Sequence, residues 1–317
     1  MTTSVSVLVV GRVSVDLYAR ELGASFLESQ TFNKSIGGSP TNVAVAAAKL
    51  GHRPTLITKV GDDPLGRYVI SRLQTWGVDT SRITVEKHGL TPVVLAAMDP
   101  PEDPQVIFHR SNQSPDTTIQ PAELSEQEVN AFDIFWLSGG TLAHGTTAVA
   151  VSKWLSQRVS RRHTIFDLDY RPSFWQSIDD ARRAAVSAIS RCDVVVGNLA
   201  ECFMAVGTSE PDRAADELLS LGVSLAVVKM GAEGVLLASQ NERVRVPPLQ
   251  VKVVCGLGAG DAFGGALIHG LACGWSIRNI GEFANAAGAY VASHLACADV
   301  MPDLAQLTEF MNNKIQG

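Results

Sequence analysis

Paired cysteines are missing from this chain. Its five cysteines, at 192, 202, 255, 273 and 297, are odd in number and include no CxxC spacing. That excludes a disulfide framework and a cysteine-based zinc site, and it reads as a reduced, intracellular protein. The seven histidines add no zinc spacing. Charge is sparse as well: Asp, Glu, Lys and Arg make up 18% of the residues, with a net charge of −6. A general nucleic-acid surface is excluded on that balance, and an anionic small molecule would need a local basic pocket. The N-terminal MTTSVSVLVVGRVSVD has no positive region, and its apolar run is too short for export or membrane spanning. A cytoplasmic protein with no membrane partner is therefore expected, and the sequons at Asn33 and Asn112 carry no meaning. Repeats, charge blocks and low-complexity linkers are absent too.

Two common phosphate loops are also lacking. No GK[ST] follows the glycines near 258, so there is no Walker A motif. No GxGxxG follows the first strand, where a nucleotide-dependent dehydrogenase needs it. Gly11 instead leads into a segment of mixed character.

What is present is apolar and alternating. Hydrophobic residues make up 46% of the chain, enough for a sizeable core. Val5–Val10 reads as a buried first strand, and 13–32 suits strands that leave the main sheet. Ser39-Pro40 gives an N-cap and an N1 proline for a helix stopped by Gly51. Strand 55–60 follows, then a helix opened by Asp63-Pro64 and ended at Gly77. Residues 91–98 and 105–110 read as a strand pair around a proline-rich turn. From 132 onward, strands near 133–138, 163–168, 192–197 and 223–229 alternate with helices near 146–159, 179–190 and 211–221. A β-rich segment over 234–254 leads to helices near 260–273, 276–295 and 303–313. Alternating βα units imply a parallel sheet covered on both faces. The excursions at about 12–36 and 90–112 form one small sheet standing off it as a lid.

Several motifs fall at strand-to-helix turns. Cys255–Leu271 reads CGLGAGDAFGGALIHGL, a glycine turn that opens a helix with Asp261 in its first turn. Such a turn either binds an anion at the helix N-terminus or is simply tight. SIGGSPTNVAVAAAKLG places Gly37-Gly38 before Asn42, which either points into a cleft at the strand ends or is solvated. Asn198 and Glu201 have the spacing of a capping box, or else Glu201 faces a metal–phosphate cluster. FDLDYRP crowds acidic and basic residues at a strand end, where Arg171 either forks onto a carboxylate or phosphate or joins a surface ion pair. Asp16 and Arg110 are weaker candidates, and Lys229 to Gly234 either borders a nucleotide or turns.

Taken in order, an aspartate after strand one, GG…N, NxxE, a late glycine pair and GAGD are similar to the PfkB, or ribokinase-like, carbohydrate kinase family. The match runs from about 5 to 312. The resemblance implies a three-layer α/β/α sandwich with a mostly parallel central sheet, one kinase domain over 1–317, and the lid. It implies ATP and Mg²⁺, with phosphoryl transfer to a sugar hydroxyl. By position, Asp261 resembles the catalytic base, and the amides of Gly258, Ala259 and Gly260 resemble an anion hole. Asp16, Gly38 and Asn42 match contacts to sugar hydroxyls, and Asn198 and Glu201 match the phosphate and Mg²⁺ motif. Gly231 and Gly234 match the nucleotide edge, with Asn285 beside the adenine. Lys229 stands where many members carry threonine and is expected to reach phosphate. Arg110 and Arg171 match positions that hold the acid end of keto-sugar acids, which makes a sugar acid the expected substrate. GRVSVDLYA and FDLDYRPSFW point to that branch too. Where many members read DTxGAGD, this chain has Cys255-Gly256-Leu257 before GAGD, which leaves a monovalent cation open. The resemblance also implies a homodimer through the lid strands. A sugar or nucleotide sensor without catalysis is the competing class.

Overall fold

The structure is a computed structural model and describes residues 4–159 and 162–315. Thirteen strands occur among the described residues: β1 Ser6–Val10, β2 Ser14–Ala19, β3 Phe32–Gly37, β4 Arg53–Gly61, β5 Ile83–Glu86, β6 Val93–Ala97, β7 Gln105–His109, β8 Ile134–Ser138, β9 His163–Asp167, β10 Val194–Asn198, β11 Leu225–Lys229, β12 Val235–Ala238 and β13 Arg243–Val246. The α-helices are α1 Ser39–Lys49, α2 Pro64–Thr75, α3 Glu126–Val129, α4 Gly145–Gln157, α5 Ile178–Ile189, α6 Leu199–Val206, α7 Pro211–Ser220, α8 Ala259–Ala272, α9 Ile277–Ala292 and α10 Leu304–Ile315.

Nine strands form the main sheet in the order β13-β12-β11-β10-β9-β8-β1-β4-β5. All pairs from β11 to β5 are parallel, and β12 and β13 close one edge antiparallel. The strands are valine- and isoleucine-rich because both faces are covered. Along β1, Val7 and Val9 enter one core with α1, α8 and α9, while Leu8 and Val10 enter the other with α4, α5 and α7. That period of two produces the α/β/α layering. The second sheet has the order β3-β2-β6-β7 and is built from the two β-rich excursions. Its buried face, with Tyr18, Ala96 and Met98, shares a third apolar cluster with Cys255, Ala296 and Cys297.

Three local expectations change. Strand β5 was not anticipated from the sequence: it is four residues long, half-buried and on the sheet edge, so its periodicity is weak. The cap of α1 is Gly38 rather than Ser39, which is already helical and makes no capping bond. Gly38 has φ 94°, and a Cβ there would lie 2.5 Å from the Arg12 carbonyl oxygen, so the chain turns where only glycine fits. The β-rich segment ends at Val246, and 247–254 carries no strand. Among the described residues, no helix is long and apolar enough to cross a membrane.

Candidate active site

Ligands of parallel α/β sheets bind outside the carboxyl ends of the strands. Here Arg12 follows β1, Asp169 follows β9, Asn198 ends β10 and Lys229 ends β11. The N-terminus of α8 points into the same region and divides it into two clefts. Asp261 is the third residue of α8, and its carboxylate accepts a hydrogen bond from Asn42 Nδ2 at 2.8 Å. Burial pushes the Asp261 carboxyl up, opposed by that hydrogen bond.

The first cleft, of about 700 Å³, brings together Asp16, Gly38, Asn42, Arg110, Arg171, Gly258 and Asp261. Asp16 accepts from Ser14 Oγ at 2.6 Å and from Tyr18 Oη at 3.0 Å. Burial raises its carboxyl to about 6, against the pull of those two hydroxyls. Arg110 is buried, and its Nε and Nη2 donate to Asp116 Oδ2 at 3.1 and 2.6 Å. The Arg171 side chain is 45% exposed at the cleft mouth, with Nε 3.3 Å from Asp169 Oδ1.

The structure adds Arg12 to this cleft, a residue within GRVSVDLYA that was given no role of its own from the sequence. Its guanidinium grips Asp169 with both terminal nitrogens, at 2.6 and 3.3 Å. Asp169 has a side chain only 2% exposed and takes φ 30°, a conformation sparsely populated outside glycine. Burial alone would raise its carboxyl, but Arg12 and Arg171 outweigh it and hold Asp169 below the ordinary range. Within FDLDYRP, Arg171 does join an ion pair, but with a buried partner: Asp169 anchors both Arg12 and Arg171. Arg12 could have been flagged from its place directly after a buried strand.

The second cleft is larger, about 1150 Å³, and brings together Lys229, Gly231, Gly234, Ala259, Gly260 and Asn285. Its walls are largely backbone and aliphatic side chains such as Leu249, Val253 and Ala289. Asn285 Nδ2 donates to the Pro247 carbonyl at 3.0 Å, which fixes one wall. Lys229 Nζ lies 3.3 Å from the position of a Cβ on Gly260, so its ammonium sits against the start of α8. Burial lowers the Lys229 amine, but Asp167 and Glu201 outweigh it and raise its pKa.

Asn198 and Glu201 line neither cleft. They form a complete capping box, with Glu201 N–H donating to Asn198 Oδ1 at 2.9 Å and Asn198 N–H donating to Glu201 Oε2 at 2.7 Å. Asn198 is paired in register with Lys229, which keeps Glu201 beside the second cleft. Asp167 is also buried here, 3.9 Å from Lys229 Nζ, and its Oδ1 has no hydrogen-bond partner.

The unusual Cys255-Gly256-Leu257 stretch has a structural reason. Cys255 is fully buried beneath the small sheet. Gly256 N–H donates to the Pro101 carbonyl at 2.8 Å, and a Cβ on Gly256 would come within 2.3 Å of the Glu102 carbonyl oxygen. The tip of the β6–β7 hairpin thus rests on the turn that precedes α8.

Comparison with known proteins agrees with this architecture. Residues 5–304 match the model of the pfkB family carbohydrate kinases, and the chain belongs to that family. A curated relative from Geobacillus thermodenitrificans, named 5-dehydro-2-deoxygluconokinase, is 31% identical over 315 residues, covering 96% of this chain and 93% of the relative. Fructokinase from Vibrio cholerae O395, solved with fructose, ADP and calcium ion, has a TM-score of 0.85 at 26% identity, covering 98% of this chain and 100% of that one. A PfkB protein from Polaromonas sp. JS666 has a TM-score of 0.82 at 25% identity, covering 96% and 99%.

Proposed function

We propose that the protein transfers the γ-phosphoryl group of ATP to a primary hydroxyl of 5-dehydro-2-deoxygluconate, giving the 6-phosphate, in cytoplasmic breakdown of myo-inositol. The observation that carries this reading is the position of Asp261 at the wall between an arginine-lined cleft and a larger glycine-edged one. The larger cleft, with its aliphatic walls, suits a nucleotide, and the smaller suits a sugar acid.

The sugar lies in the first cleft, with hydroxyls on Asp16 and Asn42 and its carboxylate at the arginine end. Asp261 accepts the proton of the primary hydroxyl as its oxygen bonds to the γ-phosphorus. The β–γ bridging bond breaks and ADP leaves. The first amides of α8, which have no intrahelical partners, and Lys229 meet the charge on the moving group. Closure of the small sheet over the sugar excludes water, the competing acceptor.

The residues present fit a divalent cation. Mg²⁺ is ordinarily held by one or two carboxylates plus phosphate oxygens. Asp167 Oδ1 is a buried oxygen with no hydrogen-bond partner, and Glu201 lies near it. These two would hold Mg²⁺, which supplies charge neutralisation between the phosphate oxygens. The side chain at 255 offers no carboxylate to a monovalent cation, and the mechanism uses none.

The outer face of the small sheet supports a homodimer, since Phe32 is 37% and Ile107 44% exposed there. Light scattering at twice the monomer mass is expected, and a monomer at micromolar concentration would overturn this assembly.

The test is ADP release with 5-dehydro-2-deoxygluconate, 2-keto-3-deoxygluconate, fructose and ribose. The highest kcat/KM is expected with the first. A preference for fructose or ribose would overturn the acceptor, and no ADP release with any sugar would point to a sensor.

A further inference from the structure

The arginine end of the first cleft holds three guanidinium groups, and they are not equivalent. Arg171 is 45% exposed at the mouth. Arg12 and Arg110 line both this cleft and a small polar chamber behind it, so they form its floor. Both guanidinium carbons lie over the ring of Phe174, at 5.5 Å for Arg12 and 4.8 Å for Arg110. Phe108 meets the same ring edge-on at 5.4 Å. Arg110 is tied to Asp116, and Arg12 and Arg171 share Asp169. Arg12 and Arg110 are thus each held on a buried carboxylate, and Asp16 and Asp261 line the same cleft. Arg12 is the more fixed of the two that share Asp169. Its bidentate grip occupies one N–H on each terminal nitrogen, which leaves Nε–H and two further N–H groups. Its carbonyl is held by Thr41 Oγ1 at 3.0 Å, so its backbone is set as well.

We propose that Arg12, locked by Asp169, is the specificity-determining residue that receives the single carboxylate of the sugar acid at the floor of the cleft. The inference rests on the sugar-acid reading above. Asp169 acts as a positioning residue, aiming the fork rather than touching the substrate. A carboxylate suits the N–H groups of Arg12 that Asp169 leaves free, and a neutral sugar offers them no charged partner.

The experiment measures kcat, the KM for 5-dehydro-2-deoxygluconate and the KM for ATP in the full-length protein and in Arg12→Lys and Arg12→Met. A charge-assisted bidentate contact corresponds to a change on the order of 10- to 100-fold in affinity. The KM for the acid is expected to rise by that amount in Arg12→Met and by less in Arg12→Lys. The KM for ATP is expected to stay within about twofold, which a general loss of structure would not allow. Asp169→Asn is expected to raise the acid KM as well, because the fork is no longer aimed. If Arg12→Met does not fold, Arg12→Lys carries the test, since it keeps the charge and loses only the fork. An unchanged acid KM in Arg12→Lys and Arg12→Met, or equal rises in both KM values, overturns the role of Arg12. A wild-type protein that phosphorylates fructose but not the keto acid overturns the acceptor instead.

Discussion

The two clefts that flank the start of α8 are made from different materials. The first is lined by charged side chains that each have a partner: Arg12 on Asp169, Arg110 on Asp116, Asp16 under two hydroxyls and Asp261 on the Asn42 amide. The second offers backbone, glycines and aliphatic walls, with the half-buried Lys229 as its principal charge. A cleft built from paired charges distinguishes ligands strongly, because a wrong ligand leaves a buried group unmatched. One built from backbone reads shape and tolerates side-chain change. Substitutions should therefore damage the first cleft more specifically, and the wall between them most of all.

The wall is the sharpest test. Asp261→Asn is expected to lower kcat on the order of 10² to 10⁴ with both KM values nearly kept. A folded variant with wild-type kcat would end the assignment of the base. Next is the charge of the second cleft. Lys229→Met is expected to lower kcat about 10²-fold, with partial recovery in Lys229→Arg. A loss confined to the KM for ATP would show that the amine binds nucleotide without acting on the transferred group.

Asp16→Asn tests the first cleft by pH. With a carboxyl near 6, the wild-type KM for the sugar acid is expected to climb as pH falls below about 6, and the variant to show a higher, flat KM. The stability sign follows from the same shift. The folded pKa lies above the ordinary 3.8, so the proton-bound folded form is favoured at low pH. That contribution is fully present below 3.8 and is lost as pH rises through about 6. Melting of Asp16→Asn relative to wild type should therefore improve from pH 4 to pH 7.5, and a constant difference would contradict the burial of this carboxylate. The smallest effect belongs to the aliphatic cleft. Asn285→Ala removes a hydrogen bond to the wall at Pro247 and is expected to raise the KM for ATP roughly 2- to 10-fold. A larger change than that for Asp16→Asn on its own substrate would reverse the comparison.

Much of the architecture was legible because it rests on local signals. The alternation of apolar runs with helical periods predicted the parallel strands from β8 to β11, and Asp63-Pro64 marked the start of α2, where Asp63 does accept the capping bond from Gly66. The proline-rich turn at 100–104 separated β6 from β7 as expected. Asn42 and Asp261, each singled out from its own motif, are brought 2.8 Å apart. Arg12 was not singled out, because its meaning depends on Asp169, 157 residues later, and on a backbone turn that composition does not mark. The edge strand β5 escaped for the opposite reason: it buries too little to show a pattern. In the same way, Gly256 looked like a loss against the commoner sequence until the hairpin tip was seen resting on it.

That last contact makes one amide a reporter. The Gly256 N–H is protected only while the Pro101 carbonyl sits on it, so its hydrogen-exchange rate measures how often the tip of the small sheet lifts away. Val254 and Cys255 N–H, bonded instead to the Ala292 carbonyl within the main domain, supply the internal clock against which that lifting is timed.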